Sequence, residues 1–477
     1  MGISNLKISK IDFPLVICYL LLIVIGWLNI YSAVYAEDHT SLFDTSQRYG
    51  MQFIWILSSL AIAVAIIFFV NHKIYSVLSP LIYGGVIVLL ALVIFLGKEV
   101  NGSKSWFALG PISFQPAEVS KISTSLFLSY IMSKVGFKLS NIKDLAKVIA
   151  TLLVPMMLII MEKETGSALV YCGFIFVLYR EGLSGLYLLF GLLSILLFVL
   201  TLSFSPTLSI IVLFALFGLI YSVLTRRTFL NTFYLILATI AISFVPKILK
   251  LESIAALLDG VKPEYIVLLL ILPIIITALV KGIKKRVPYV KNIFMIFLSL
   301  IVLVFSVQFF FTSILQPHQR ARIEILLGIK QDISGVGYNV HQSKIAIGSG
   351  GFFGKGYLQG TQTKFNFVPE QSTDFIFCTI GEEWGFFGAS FIIILYLFMI
   401  ARILMLAERQ KFNFAKLYGY CIASALFMHV LINIGMTMGL LPVIGIPLPF
   451  LSYGGSSLWT FTILLFIFIK LDLERQQ

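Results

Sequence analysis

The sequence predicts an all-α polytopic membrane protein, a helix bundle of about fourteen transmembrane helices with a large loop outside the bilayer. Three observations carry that prediction. Apolar residues make up 59% of the chain and charged residues only 12%, about half the charge of an average soluble domain. The apolar residues gather in runs of about twenty, the length that crosses hydrocarbon as a helix. One long stretch, from Gly335 to Gly385, is rich in glycine and lysine and holds Glu370, Asp374, Glu382 and Glu383. Unpaired backbone N–H and C=O groups facing lipid cost several kcal/mol each, so this stretch must lie outside the bilayer or line a wet cavity. Loops of that length and composition are where function concentrates.

In chain order the apolar runs fall near 13–35, 52–70, 75–96, 117–134, 147–161, 166–180, 184–204, 207–224, 229–246, 264–280, 292–314, 375–404, 416–440 and 457–472. The first run is too long for the core of a signal peptide and is followed by many others, so it is read as a span. The chain is then one integral membrane domain over 1–477. The net charge of +13 would raise nucleic acid as a partner for a soluble protein. Here it reflects Lys and Arg collecting on the cytoplasmic side, and no nucleic-acid partner is expected. With the N-terminus inside, the inner segments receive clusters such as Lys134, Lys138, Lys143 and Lys147, or Lys281, Lys284, Lys285 and Arg286. The outer segments receive fewer: Arg48, Lys98, Lys104, Lys163, Lys247, Lys250 and Lys262. Both termini are therefore expected in the cytoplasm and the loop over 315–374 outside. Cys18, Cys172, Cys378 and Cys421 have no metal-ligand spacing and the histidines are scattered, so neither disulfides nor a zinc site is expected. No internal repeat supports an inverted-repeat transporter.

The polar motifs gather at the predicted outer face. The glycine run from Gly348 to Gly356 lacks both phosphate-loop patterns, because Ser349, Phe353 and Gly356 occupy required positions. What it offers is backbone that bends tightly and approaches a ligand closely, with Lys344 and Lys355 nearby to meet an anion. Arg320 and Arg322 follow the eleventh run, either as interfacial arginines on lipid headgroups or as a clamp for phosphate oxygens. Glu118 and Lys121 open the fourth span three residues apart, on one helix face. Charges entering a spanning helix face a cavity or a partner, and this pair is expected to face the same cavity as Asp374. Glu162 and Glu164 lie in a one-turn connection near the bilayer surface. Asp374 stands where the loop meets a run of Phe and Ile. It reads as a plain helix N-cap or as a partly desolvated carboxylate suited to general-base work. The segment from Gly439 to Ser457, with three prolines and four glycines, cannot be helical and is expected to re-enter the membrane against protein.

Together these residues resemble the SEDS family of bacterial shape, elongation, division and sporulation proteins. The resemblance rests on QPAEVSK, QSKIAIGSGGFFGKGYLQGTQ, PEQSTDFIF, GEEWG and GLLPVIGIPLPFLSYGGSS, over roughly 10–182 and 292–472. The loop motifs look closer to the rod-elongation branch than to the division branch. The resemblance implies a peptidoglycan glycosyltransferase in the bacterial cytoplasmic membrane, polymerising lipid II on its outer face beside a class B penicillin-binding protein. It implies that Asp374 is the essential aspartate and that Glu118 and Lys121 are the family's charged pair. Lys104, Gln342, Ser343, Glu370 and Thr373 join Arg320, Arg322, Lys344 and Lys355 as residues expected to bind substrate. Three departures stand out. Ser372 replaces a frequent His, Lys163-Glu164 replaces Pro-Asp, and residues from about 184 to 290 add about four helices to a family core of ten.

The expected reaction is glycosyl transfer with inversion. A sugar 4-hydroxyl of lipid II attacks the anomeric carbon of a chain carried on undecaprenyl pyrophosphate, and a carboxylate takes the hydroxyl proton. The leaving pyrophosphate needs cations, from Arg320, Arg322, Lys344, Lys121 or a bound divalent ion such as Mg or Mn. The rival readings are a lipid II flippase and a non-catalytic scaffold for the cross-linking enzyme. A flippase needs polar residues through the midplane, whereas here they cluster at one face.

Overall fold

The computed structural model describes residues 11–35, 43–100, 103–109, 112–225, 263–287, 290–314, 320, 323–324, 327, 329, 337–365 and 367–475. In chain order the elements are α1 (Phe13–Val34), α2 (Arg48–Phe69), α3 (His72–Leu96), β1 (Lys98–Val100), β2 (Ser103–Leu109), β3 (Ile112–Phe114), α4 (Pro116–Met132), α5 (Ile142–Met161), α6 (Thr165–Val170) and α7 (Ile175–Arg180). Then come α8 (Gly185–Ser203), α9 (Pro206–Thr225), α10 (Pro263–Lys284), α11 (Val290–Phe309), α12 (Tyr338–Ser349), α13 (Thr361–Lys364), α14 (Ile376–Glu408), α15 (Asn413–Thr437) and α16 (Gly455–Leu473). Among the described residues, 11 helices are long and apolar enough to cross a membrane, fewer than the fourteen expected. Of the other three runs, α4 has only 17 residues, and Tyr171–Phe174 breaks α6 from α7 with a tighter turn. The expected span over 229–246 lies outside the described residues. Nearly every residue of α4 is buried, so it is packed against protein and has no need of a full lipid-facing length.

The chain divides into two compact units. The first takes residues 1–183 and 333–477. Its core runs through α1, α2, α4, α14, α15 and α16, with Tyr19, Leu22, Leu126, Tyr396, Tyr418, Phe461 and Phe468 almost wholly buried. The second unit takes residues 184–332. Within it α8, α9, α10 and α11 pack around Leu213, Phe217, Ile271, Phe297 and Val304.

The chain is not wholly helical. β1, β2 and β3 form an antiparallel three-stranded sheet between α3 and α4. Val100 pairs with Ser103 and Leu109 with Ile112. A seven-residue strand beside two of three residues falls below the length at which alternation stands out in a sequence.

Two features position the candidate site. The first is a break in α14 at Gly385, where φ is +67°. The break frees carbonyls on one side and N–H groups on the other, and the glycine run satisfies both. Lys355 N–H and Gly356 N–H donate to the carbonyls of Glu382 and Glu383 (3.0 and 3.1 Å), while Phe386 N–H and Phe387 N–H donate to those of Gly351 and Phe352 (2.9 and 3.2 Å). A Cβ on Gly385 would stand 2.3 Å from Gly354 N. The close approach that the run was expected to make to a ligand is made instead to the backbone of α14. The second feature is the irregular segment 438–454, which packs inside the first unit with Ile446, Leu448, Phe450 and Leu451 buried.

Candidate active site

Asp374 sits on a turn and does not cap α14, whose N-cap is Phe375. The turn begins at Glu370, with φ at +53°. It closes by Thr373 N–H and Phe375 N–H donating to the Glu370 carbonyl (3.2 and 3.3 Å). Three successive carbonyls of the turn are then held by residues far along the chain. Tyr453 N–H donates to the Ser372 carbonyl at 2.9 Å, Ser452 Oγ to the Thr373 carbonyl at 2.6 Å, and Asn433 Nδ2 to the Asp374 carbonyl at 2.8 Å. The main chain is fixed, while the half-buried carboxylate carries no hydrogen bond or ion pair of its own among the described residues. Gly445, at φ +74°, backs onto it, and a Cβ there would lie 3.3 Å from Asp374 Oδ2. Burial, then the charges of Glu370 and Glu164, push the Asp374 carboxyl up from 3.8 to about 6, since each disfavours the ionised form.

Beside it, Arg48 at the start of α2 donates Nη1 to Ser372 Oγ at 2.7 Å and to Glu370 Oε2 at 3.3 Å. Its guanidinium lies 5.8 Å from the centre of the Tyr453 ring. It is 44% exposed, so part of its donor fork remains open to solvent. Thr373 Oγ1 donates to the Glu370 carboxylate at 3.1 Å.

Glu118 and Lys121 lie in the first turns of α4 and are 2% and 0% exposed. Lys121 Nζ donates to Glu118 Oε1 at 2.6 Å and meets His429 Nε2 at 2.8 Å. An ammonium group has donors only, so Nε2 accepts, and the imidazole proton sits on Nδ1. Nδ1 faces the Pro447 carbonyl at 3.2 Å. The pair is therefore enclosed by protein among the described residues, where the sequence expectation put it beside water. The reason is His429, which supplies from α15 the partner that water was expected to supply.

The connection at 162–164 also turns inward. Lys163 has φ at +63°, and the Glu162 side chain is buried with no partner on either oxygen among the described residues. Burial, then the Glu164 charge, push the Glu162 carboxyl up to about 9. Glu164 is raised as well, chiefly by burial, although Ser167 Oγ at 2.8 Å and Gln115 Nε2 donate to it.

The remaining expected residues fall apart into several places. Lys344 is exposed on α12, with its Cδ 3.1 Å from where a Cβ of Gly439 would be, so it lies over the irregular segment. Gln342 is half-buried on the same helix. Ser343 is buried and donates to the Thr437 carbonyl at 2.9 Å. Lys355 is taken up by the buried Glu382 at 2.7 Å, which also accepts from Gln362 N–H, Thr363 N–H and Thr363 Oγ1. Lys104 stands exposed on β2. Arg320 belongs to the second unit, where it donates to the Thr312 carbonyl at 2.7 Å, and Arg322 lies outside the described residues. Sequence reasoning missed Arg48, His429 and Asn433. The signal for the last two was present as polar residues four apart on one face of an apolar helix.

Among the described residues no three His, Cys, Asp or Glu side chains form a group that could hold a metal ion. Magnesium, however, is commonly held by one or two carboxylates together with substrate phosphates. A free Asp374 carboxylate, with Glu370 and Glu164 near it and Arg48 bonded to Glu370 and not to Asp374, fits that mode.

The family model for FtsW, RodA and SpoVE, described as cell cycle protein, matches residues 13–208 and 264–477. The chain is 31% identical over 455 residues, 95% of each sequence, to peptidoglycan glycosyltransferase RodA of Treponema pallidum. It is 46% identical over 145 residues, 30% of this chain and 39% of the relative, to peptidoglycan glycosyltransferase MrdB of Escherichia coli K12. Its fold is shared with a chain of a peptidoglycan synthase complex that coordinates polymerization and crosslinking, at TM-score 0.58, 21% identity and 98% and 99% coverage. The Thermus thermophilus rod shape determining protein RodA matches at TM-score 0.53, 21% identity and 98% coverage of both chains. With motifs, fold and most of its length in agreement, the chain belongs to the FtsW, RodA and SpoVE family of cell cycle proteins, multi-pass membrane proteins of the SEDS type.

Proposed function

We propose that this protein is a peptidoglycan glycosyltransferase that polymerises lipid II for cell elongation, with Asp374 as its general base. The observation that carries the reading is a carboxylate whose main chain is tied at three carbonyls while its side chain is left free. The 4-hydroxyl of one lipid II attacks the anomeric carbon of the growing chain with inversion. The bond from that carbon to the pyrophosphate oxygen breaks, undecaprenyl pyrophosphate leaves, and Asp374 takes the hydroxyl proton. A positioned base of this kind contributes about 10²–10⁴-fold. Arg48 and Lys344, both partly open to solvent, supply positive charge for the leaving group. In the alternative in which Asp374 is not the base, it would hold with Glu370 a divalent ion that neutralises pyrophosphate charge.

The active site faces outward and both termini lie in the cytoplasm, a reading supported by the Lys and Arg asymmetry. The partner is a class B penicillin-binding protein that cross-links the strands. The test is a polymerisation assay with purified protein and lipid II, with and without that partner. Asp374→Asn, folded, is expected to lose at least about 10²-fold in rate. Polymerisation by the Asn variant near the wild-type rate overturns the assignment. If Asp374→Glu works only at raised divalent-metal concentration, the carboxylate acts as a metal ligand and not as the base.

A further inference from the structure

The buried Glu118–Lys121 pair and the Asp374 turn are joined by a path that no substrate needs to touch. From the Lys121 ammonium it passes to His429 Nε2 at 2.8 Å, and from His429 Nδ1 to the Pro447 carbonyl at 3.2 Å. Two residues back along the backbone, Gly445 lies against the Asp374 carboxylate, 3.3 Å from Oδ2 to its Cβ position. Between them, the Ile446 carbonyl accepts from Asn433 Nδ2 at 2.6 Å, and the same amide donates to the Asp374 carbonyl at 2.8 Å. His429 and Asn433 are four residues apart, one turn of α15, so they form two rungs on one face. Both are fully buried. Residues 446 and 447 are thus held by Asn433 and by His429, and Gly445 next to them backs onto the carboxylate.

We infer that His429 is a positioning residue, which uses the Glu118–Lys121 pair as a fixed anchor to hold Gly445 against Asp374. Two facts decide this over direct contact of Lys121 with substrate. Lys121 is 0% exposed, and two of its three protons are spent on Glu118 and His429. A neutral imidazole suits the task, since one nitrogen accepts from an ammonium while the other donates to a carbonyl. Glu118 balances the charge that would otherwise be isolated in the interior. Proline at 447 supplies a carbonyl and no N–H, so the segment offers His429 an acceptor only.

The inference rests on Asp374 being the catalytic carboxylate, and the experiment separates the two. His429→Leu keeps the apolar volume and removes both bonds, whereas His429→Gln offers one acceptor and one donor. The Leu variant is expected to lose about 10²-fold in kcat, the scale of a small misplacement of a reacting group, with KM for lipid II unchanged. The Gln variant is expected to recover most of that loss. The acid limb of the pH–rate profile gives a second readout. The charged groups around Asp374 are Glu370 from its own turn, Glu164 from the 162–164 connection and Arg48 from α2, which is paired with Glu370, and none is altered. Loosening Gly445 admits water to the carboxylate, so the limb moves to lower pH in the Leu variant and returns in the Gln variant. Lys121→Met, which leaves His429 in place but removes its anchor, must reproduce the Leu behaviour, and it serves alone if the Leu variant does not fold. Wild-type kcat and an unmoved limb in the Leu variant, or in Lys121→Met, overturn the inference. So does a Gln variant as impaired as Leu, which would make the role one of packing. If Asp374→Asn itself remains active, the proposed base falls first.

Discussion

A carboxyl that titrates near 6 is ionised at neutral pH yet accepts a proton readily, which gives Asp374 two measurable signatures. As the base it must be ionised, so kcat for lipid II polymerisation is expected to fall as pH drops through about 6. A profile flat to pH 5 excludes it. The second signature concerns stability. Its folded value lies above the ordinary 3.8, so the fold favours the protonated form. That contribution is complete below pH 3.8 and is lost as pH rises through about 6. Asp374→Asn is therefore expected to be more heat-stable than wild type at pH 7.5, by about 1–3 kcal/mol, with a smaller difference at pH 5. Equal melting at both pH values contradicts the desolvated carboxylate. Asp374, Glu118 and Lys121 were legible in the sequence, because charges beside apolar runs are conspicuous. His429 and Asn433 were missed: their spacing of four marks one face of an apolar helix, but what that face meets is known only once its partners on other elements are in place.

At the scale of elements, the broken helix α14 and the glycine run are one construction. Lys355 reads in sequence as a lysine placed to meet an anion, yet the structure gives it the buried Glu382 as its partner, beside the break at Gly385. Lys355→Met is expected to lower thermal stability by about 1–2 kcal/mol, less than the loss of a typical buried pair, because four other donors remain on Glu382. KM for lipid II should stay within about twofold, since Lys355 binds no substrate in this reading. A raised KM with unchanged melting would return Lys355 to the substrate site. Gly385→Ala is expected to reduce folded yield sharply, because the left-handed backbone costs about 1–2 kcal/mol for a side chain and the new Cβ meets Gly354 N. Wild-type yield would show that the break survives without glycine. The helices themselves were legible as apolar runs. The strands over 98–114 and the short helices α12 and α13 were not, since a long polar loop carries no period strong enough to reveal them.

For the whole molecule, the two compact units follow the chain closely. The family model leaves 209–263 unmatched, a stretch that begins in α9 of the second unit. A topology reporter fused after Arg286 is expected to behave as cytoplasmic and one inserted near Gly360 as external. Reversed signals at either site overturn the orientation. Fold class was readable from hydropathy alone, since lipid imposes helices on any chain this apolar. The assembly of the site was not, because its parts come from α2, α4, α15 and the segment after it. One consequence concerns synthesis. Asp374 lies ahead of α14, while the donors to its turn, Asn433, Ser452 and Tyr453, lie in and after α15. A chain on the ribosome thus carries its reactive carboxylate into the membrane well before the groups that aim it exist. With Asp374 as the base, chains that stop before α15 are expected to enter the membrane without polymerising lipid II, which a polymerisation assay on such truncated chains checks.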